Sequence, residues 1–161
     1  MKNGFYALIF SLLLIGCKSD DDSLPENNKI INSTIMVDGV AFVPTELKVM
    51  NGTPNFSEEE SLVFTFKNTS QNEQIIVKID YPNSSTAPDG IYNFGIGEIG
   101  TMLFAQGSYG KGSNYYSLAG YTVQVTSLGN DKYKIEFQNV QAVNINSGLI
   151  VVITGYCEGD F

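Results

Sequence analysis

From residue 62 to residue 137 the chain keeps returning to one pattern, an apolar side chain at every second position. In "SLVFTFKN" Leu62, Phe64 and Phe66 alternate with Val63, Thr65 and Lys67; in "QIIVKIDY" Ile75, Val77, Ile79 and Tyr81 alternate with Ile76, Lys78 and Asp80. In "YTVQVTSLGNDKYKIEFQ" Tyr121, Val123 and Val125 alternate with Thr122, Gln124 and Thr126. Tyr133, Ile135 and Phe137 then alternate with Lys132, Lys134 and Glu136 around a Gly129-Asn130-Asp131 turn. Successive side chains of an extended chain point to opposite faces, so these runs are strands with one face buried. Beyond the first sixteen residues no 3.6-residue period persists. Only "NFSEEES" is ambiguous, as one turn of helix or a loop.

Other segments fit the same scheme. "STIMVDGVAFVP" is two short β-prone runs about Asp38-Gly39, a strong hairpin signal, closed by Pro44. "LIVVITGYC" is a continuous apolar run, as expected of a central strand covered on both faces. Only 16% of the 161 residues are charged, and Asn, Ser, Thr, Gly and Tyr take their place, which favours strands and turns over exposed helices. Eight to ten strands in residues 30–161 predict a single all-β domain. An antiparallel β-sandwich is favoured over a closed or partly open barrel, with the polar loops at 51–60 and 82–90 as its crossings.

The first sixteen residues are a different object. Lys2 is followed by an apolar run from Phe5 to Ile15, too short to span a bilayer and suited to a secretory signal. Its end, Leu14-Ile15-Gly16-Cys17, resembles the lipobox of bacterial lipoproteins, which implies cleavage before Cys17 and acylation of its sulfur. Each buried methylene contributes about 0.8 kcal/mol, so several acyl chains hold a protein on a membrane essentially permanently. The covalent lipid on Cys17 is the only prosthetic group expected, with no cofactor and no metal. Lys18, Ser19, Asp20, Asp21 and Asp22 resemble the acidic surface-export signal of Bacteroidota lipoproteins, which implies an outer-membrane protein facing outward. Residues 17–29 have almost nothing to bury and form an acidic tether. Within it, Asp22-Ser23-Leu24 resembles the O-glycosylation acceptor of the same bacteria, with Ser23 the acceptor.

The domain itself resembles small Bacteroidota lipoproteins that open on a "VDG-x-x-F" hairpin, here Val37, Asp38, Gly39 and Phe42. They carry Gly-x-Tyr-x-Phe at mid-chain, here Gly90, Tyr92 and Phe94. The resemblance implies an all-β surface domain and carries no chemistry with it.

Several functions are excluded by what is absent. The net charge of −8, with nine Lys and no Arg, makes nucleic acid a poor partner. Without His there is neither a Ser/His/Asp triad nor a Cys/His pair, and no histidine-based metal site. Two carboxylates would suffice for a glycosidase. Glu46, Asp80, Asp89, Glu98 and Glu136 are available, but no spacing singles out a pair, and Asp80 and Glu136 fall on polar strand faces. The chain reads as a non-enzyme. Cys157, left without a partner once Cys17 is acylated, is expected to be buried and inert; a disulfide between the two would contradict the lipobox.

The stretch most suited to recognition is "AQGSYGKGSNYYSLAGY". Tyr109, Tyr115 and Tyr116 supply rigid amphipathic contact and Asn114 an adaptable hydrogen-bonding group, although Tyr115 and Tyr116 must face opposite ways and one of them should be core. The lack of Trp counts against a broad glycan-stacking platform. Two roles follow: a small binding or accessory module for a glycan or protein partner, or a structural or adhesive surface component with no small-molecule site. A pocket lined by these residues would favour the first, and an open edge strand the second.

Overall fold

The computed structural model describes residues 31–95 and 103–161. Cys17, the export-signal residues 18–22, Ser23 and Glu98 lie outside them. Among the described residues the chain is all-β, with no helix.

The chain begins along the edge of its own last strand. β1 (Asn32–Ser33) and β2 (Met36–Val37) both pair antiparallel with β12 (Ile150–Asp160), and β3 (Val40–Ala41) folds back on β2. The expected Asp38-Gly39 turn is present with both residues at positive φ, 49° and 75°, the geometry that matches strand twist in a two-residue hairpin. Asp38 Oδ1 accepts the Val152 N–H at 2.7 Å, which pins the turn to β12. A meander follows through β4 (Glu46–Asn51), β5 (Glu59–Asn68) and β6 (Glu73–Pro82). "NFSEEES" is loop as far as Glu58 and strand from Glu59.

The second half holds β7 (Gly90–Phe94), β8 (Phe104–Lys111), β9 (Asn114–Ala119), β10 (Thr122–Gly129) and β11 (Lys132–Val143). All strands belong to one sheet, ordered β3-β2-β12-β11-β10-β7-β8-β6-β5-β4. Among the described strands only the β7–β8 pair is parallel, so the sheet is mixed where a purely antiparallel one was expected. The sheet also forks. Between β8 and β11, one end is filled by β7 and β10 and the other by β9 alone, which pairs Ser108–Lys111 on one side and Gln141–Val143 on the other. Asn139, at φ 56°, lies in the bulge where β11 exchanges one neighbour for the other.

This sheet rolls over so that its halves face each other, as the layers of a sandwich do. Phe64 and Phe66 of β5 meet Tyr133 and Phe137 of β11 edge to face, with ring centroids 5.0 and 5.7 Å apart, and Phe161 wedges among them. The alternating positions Leu62, Ile75, Val77, Ile79, Tyr81, Val123, Val125, Ile135 and Phe137 are all buried, as the pattern requires. Tyr92 and Phe94 are core as well, the Tyr92 hydroxyl donating to Pro88 O at 2.6 Å.

Three expectations need correcting. Tyr121 does not continue the buried face of β10: it is exposed at φ 62°, in the turn that precedes the strand. The run from Leu149 to Cys157 is hydrogen-bonded along both edges but buried on one face only, with Ile150 53% exposed; its continuous apolarity reflects a place inside the sheet, not cover on both faces. Of the two long loops, residues 83–89 do cross over β8 to reach β7. Residues 52–58, however, join adjacent strands and fold back over the outer face of the sheet.

Candidate functional site

The β8–β9 hairpin turns through Gly112 and Ser113, which sets Tyr109 opposite Tyr116 and Gly110 opposite Tyr115. That register sorts the tyrosines by face. Tyr109 and Tyr116 point inward, their rings 5.5 Å apart and inclined at 38°, while Tyr115 stands 59% exposed on the outer face.

Opposite the inward pair lies the β2–β3 hairpin. Between the two is a cleft of about 200 Å³ with Val37, Val40, Ala41, Phe42 and Val151 as apolar walls, and Tyr109, Tyr116, Asn114, Lys111, Glu73 and Asp38 around them. Tyr109, Asn114 and Tyr116 therefore meet at one site. Tyr109 is only 3% exposed, though, and is the floor of the cleft, not a surface contact. Tyr115 is not part of it; it borders a shallow groove of about 530 Å³ with Lys78, Gln106, Ser108 and Ser117.

Glu73, which sequence reasoning passed over, organises the cleft. It starts β6 directly opposite Lys111 of β8, and its buried carboxylate is ion-paired with the Lys111 ammonium. The Tyr109 hydroxyl donates to the same Oε1 at 3.3 Å. A buried carboxylate is tolerated only when paired in this way. Burial raises the Tyr109 phenol well above its ordinary range, and the nearby charge of Glu73 raises it further, so the hydroxyl remains a donor. Lys111 is itself largely exposed and has further N–H groups to offer; Asn114 beside it is exposed, and Asp38 is exposed at the opposite rim. Hydrogen-bond donors and acceptors thus ring an aromatic and aliphatic floor.

The remaining candidates separate. Glu46, Asp89 and Glu136 do not join the cleft, and Asp89 accepts the Ser127 N–H at 2.6 Å as a loop tie. Asp80 is on the outward face as expected but is 2% exposed, because the loop at 52–58 covers it. Cys157 is a buried free thiol, pushed up to about 12 chiefly by burial. Among the described residues, no group of three or more His, Cys, Asp or Glu is placed to hold a metal, and no helix is long and apolar enough to cross a membrane. No family model, curated protein or solved structure matches the chain.

Proposed function

We propose that this protein is a lipid-anchored lipoprotein of a bacterial outer membrane, displayed outward, whose β-domain binds one terminal group of a surface glycan in the cleft between the β2–β3 and β8–β9 hairpins. The observation that carries the binding reading is the meeting of Tyr109, Tyr116, Asn114 and Lys111 in one concave site. At about 200 Å³ the cleft is smaller than the ~300–1,000 Å³ that encloses a whole drug-sized ligand, so it suits an end group and not a chain. A partly exposed tyrosine face with mixed donors and acceptors matches a sugar ring, which presents apolar C–H faces and a rim of hydroxyls.

The anchoring half of the proposal rests on Leu14-Ile15-Gly16-Cys17 and the aspartates that follow. Cys17→Ala should abolish incorporation of labelled fatty acid. Replacing Asp20, Asp21 and Asp22 by Ala should keep the label while protecting the protein from protease added to intact cells; equal digestion of both proteins would reduce the aspartates to a spacer. For the cleft, Asn114→Ala should remove binding on a glycan array while the melting temperature stays near that of the wild type, and Tyr116→Ala should remove it with the melting temperature lowered by a few degrees, since its half-buried ring packs on Tyr109. Tyr115→Ala should leave binding intact. Loss of binding in Tyr115→Ala alone would transfer the site to the outer groove, and no binding by the wild type would leave the cleft to a protein partner.

A further inference from the structure

Three buried side-chain oxygens on the outward face of β5 and β6 have no hydrogen-bond partner: Glu59 Oε2, Ser61 Oγ and Asp80 Oδ1. Ser61 stands directly across from Asp80, and Glu59 lies two residues before it on the same strand, so all three share one face of the ladder. Diagonal neighbours on such a face are about 7–8 Å apart at the backbone, within reach of long side chains. The loop at 52–58 closes over them. Asn55 Nδ2 donates to Asp80 Oδ2 at 2.6 Å, and Lys78 Nζ donates to that oxygen at 3.1 Å and to Asn55 Oδ1 at 3.2 Å. The loop's ends are held by Gly52 N–H to Ser61 O at 2.8 Å and Asn83 N–H to Glu58 O at 2.9 Å.

The arrangement sets two carboxylates against one ammonium. Lys78 already occupies the position beside Asp80 where a metal cation would sit. A single O–H···O bond, in contrast, would partner Glu59 and Asp80 at once and leave Asp80 and Lys78 as a neutral pair.

We propose that Glu59 and Asp80 share one proton, and that this bond is a pH-sensitive latch holding the 52–58 loop on the sheet. Glu59 carries the proton and Asp80 Oδ1 accepts it. Burial raises the Glu59 carboxyl above the ordinary carboxylate range, and the charge of Asp80 raises it further, against the opposing effects of the Phe56 backbone and Lys78. Apart from Lys78 and Asp80, the charged group facing it is Glu58 of the loop. Lys48 and Glu46 of β4 share this face but stand further along, opposite Thr65 and Lys67, and β8 offers Phe104 and Gln106, which carry no charge.

The sign follows from proton linkage. The closed loop binds one more proton than the open loop between the ordinary carboxyl value of 4.5 and the raised one. Closure is therefore fully supported below 4.5 and lost as pH rises through the raised value. Within that window the opening equilibrium increases with pH, by at most about tenfold per unit for one proton. Opening also frees Lys78 from Asn55, and Lys78 borders the outer groove beside Tyr115, so the latch changes what that groove presents.

Native-state hydrogen exchange of the Gly52 and Asn83 amides on the full chain, from about pH 4 to pH 8, reads the latch directly. After correction for intrinsic exchange, wild-type protection should fall as pH rises through the window, by at most about tenfold per unit. Glu59→Gln, whose amide donates at every pH, should stay flat. Asp80→Asn is a second reading should Glu59→Gln not fold: without the Asp80 charge the midpoint moves down toward the ordinary carboxyl range. Superimposable profiles for the wild type and the variants overturn the latch. So does millimolar Ca²⁺ restoring wild-type protection at high pH, because a bound cation and not a proton would then be the missing partner.

Discussion

Truncating Phe161 to Ala tests whether the rolled sheet is held shut by its ring cluster. Phe161 follows β12 and is 9% exposed, with its ring edge-on to Phe64, Phe66 and Tyr133 at 5.3, 5.4 and 5.9 Å. A buried phenyl removes roughly 150 Å² of apolar surface from water. At about 25 cal/mol per Å² that is close to 4 kcal/mol, reduced to about 3 because the unfolded chain already hides part of it. Measured Phe→Ala losses of about 3–5 kcal/mol in cores bracket this value. The Phe161 N–H donates to Asp131 O at 3.0 Å and survives the substitution, so the loss is one of packing and not of strand pairing. In a domain of this size each kcal/mol moves the melting temperature by about 3–4 °C, and thermal unfolding followed by near-ultraviolet circular dichroism should show a fall of about 10 °C. Phe56→Ala, at a side chain 43% exposed, should cost less than about 0.5 kcal/mol. A double-mutant cycle with Phe66→Ala should recover about 0.5–1.5 kcal/mol of coupling. A loss below 1 kcal/mol for Phe161→Ala, or no coupling to Phe66, would refute the claim that these rings join the two halves.

Two further outcomes follow from burial and from backbone geometry. The native Cys157 thiol ionises only near 12, against 9.0 for an ordinary thiol, so over that window the unfolded chain holds fewer protons and stability falls as pH rises. Cys157→Ala should make the decline shallower without removing it, since burial raises the phenols of Tyr81, Tyr92, Tyr109 and Tyr133 as well. Alkylation at pH 8, followed by mass spectrometry, should mark Cys157 only after denaturant is added. Gly155 is at φ 90°, with space for a Cβ only 2.2 Å from Thr34 O, so Gly155→Ala should cost at least about 1–3 kcal/mol and expose the Thr34 amide, now bonded to Tyr156 O, to hydrogen exchange.

What could be read in advance was whatever depends on near neighbours. Alternation placed Phe64, Phe66, Val77, Val123, Ile135 and Phe137 in the core because burial on one sheet face is a period-two property of the chain itself. Asp38-Gly39 and Gly129-Asn130-Asp131 marked turns because their residues tolerate positive φ. The fork at β9 and the parallel β7–β8 pair were illegible, since nothing local says which distant edge a strand will find. The cleft was half legible. Its tyrosines and Asn114 stood out by composition, but the separation of Tyr109 and Tyr116 from Tyr115 needed the hairpin register, which the Gly112-Ser113 turn would have given. Glu73 was passed over because, although it shares the face of Ile75 and Val77, a charged residue at the head of a strand reads as its solvated end, and the Lys111 and Tyr109 that pair with it are remote in sequence. Asp80 was a candidate on a polar face whose burial under the 52–58 loop no local pattern announces.

The pairing of Asn32 with Glu158 and of Val37 with Ile153 also fixes an order of events. β1 precedes the other described strands and pairs with β12, and the β2–β3 hairpin joins the rest of the sheet through β12, so neither has a sheet to join until nearly the whole domain has left the ribosome. Contacts of such wide sequence separation form slowly, because a long loop must close before any of its contacts is gained. A nascent chain of this kind stays unlocked while it is synthesised. Under the export proposed above, that delay would keep the chain threadable through a membrane channel until β1, β2 and β12 had all reached the far side.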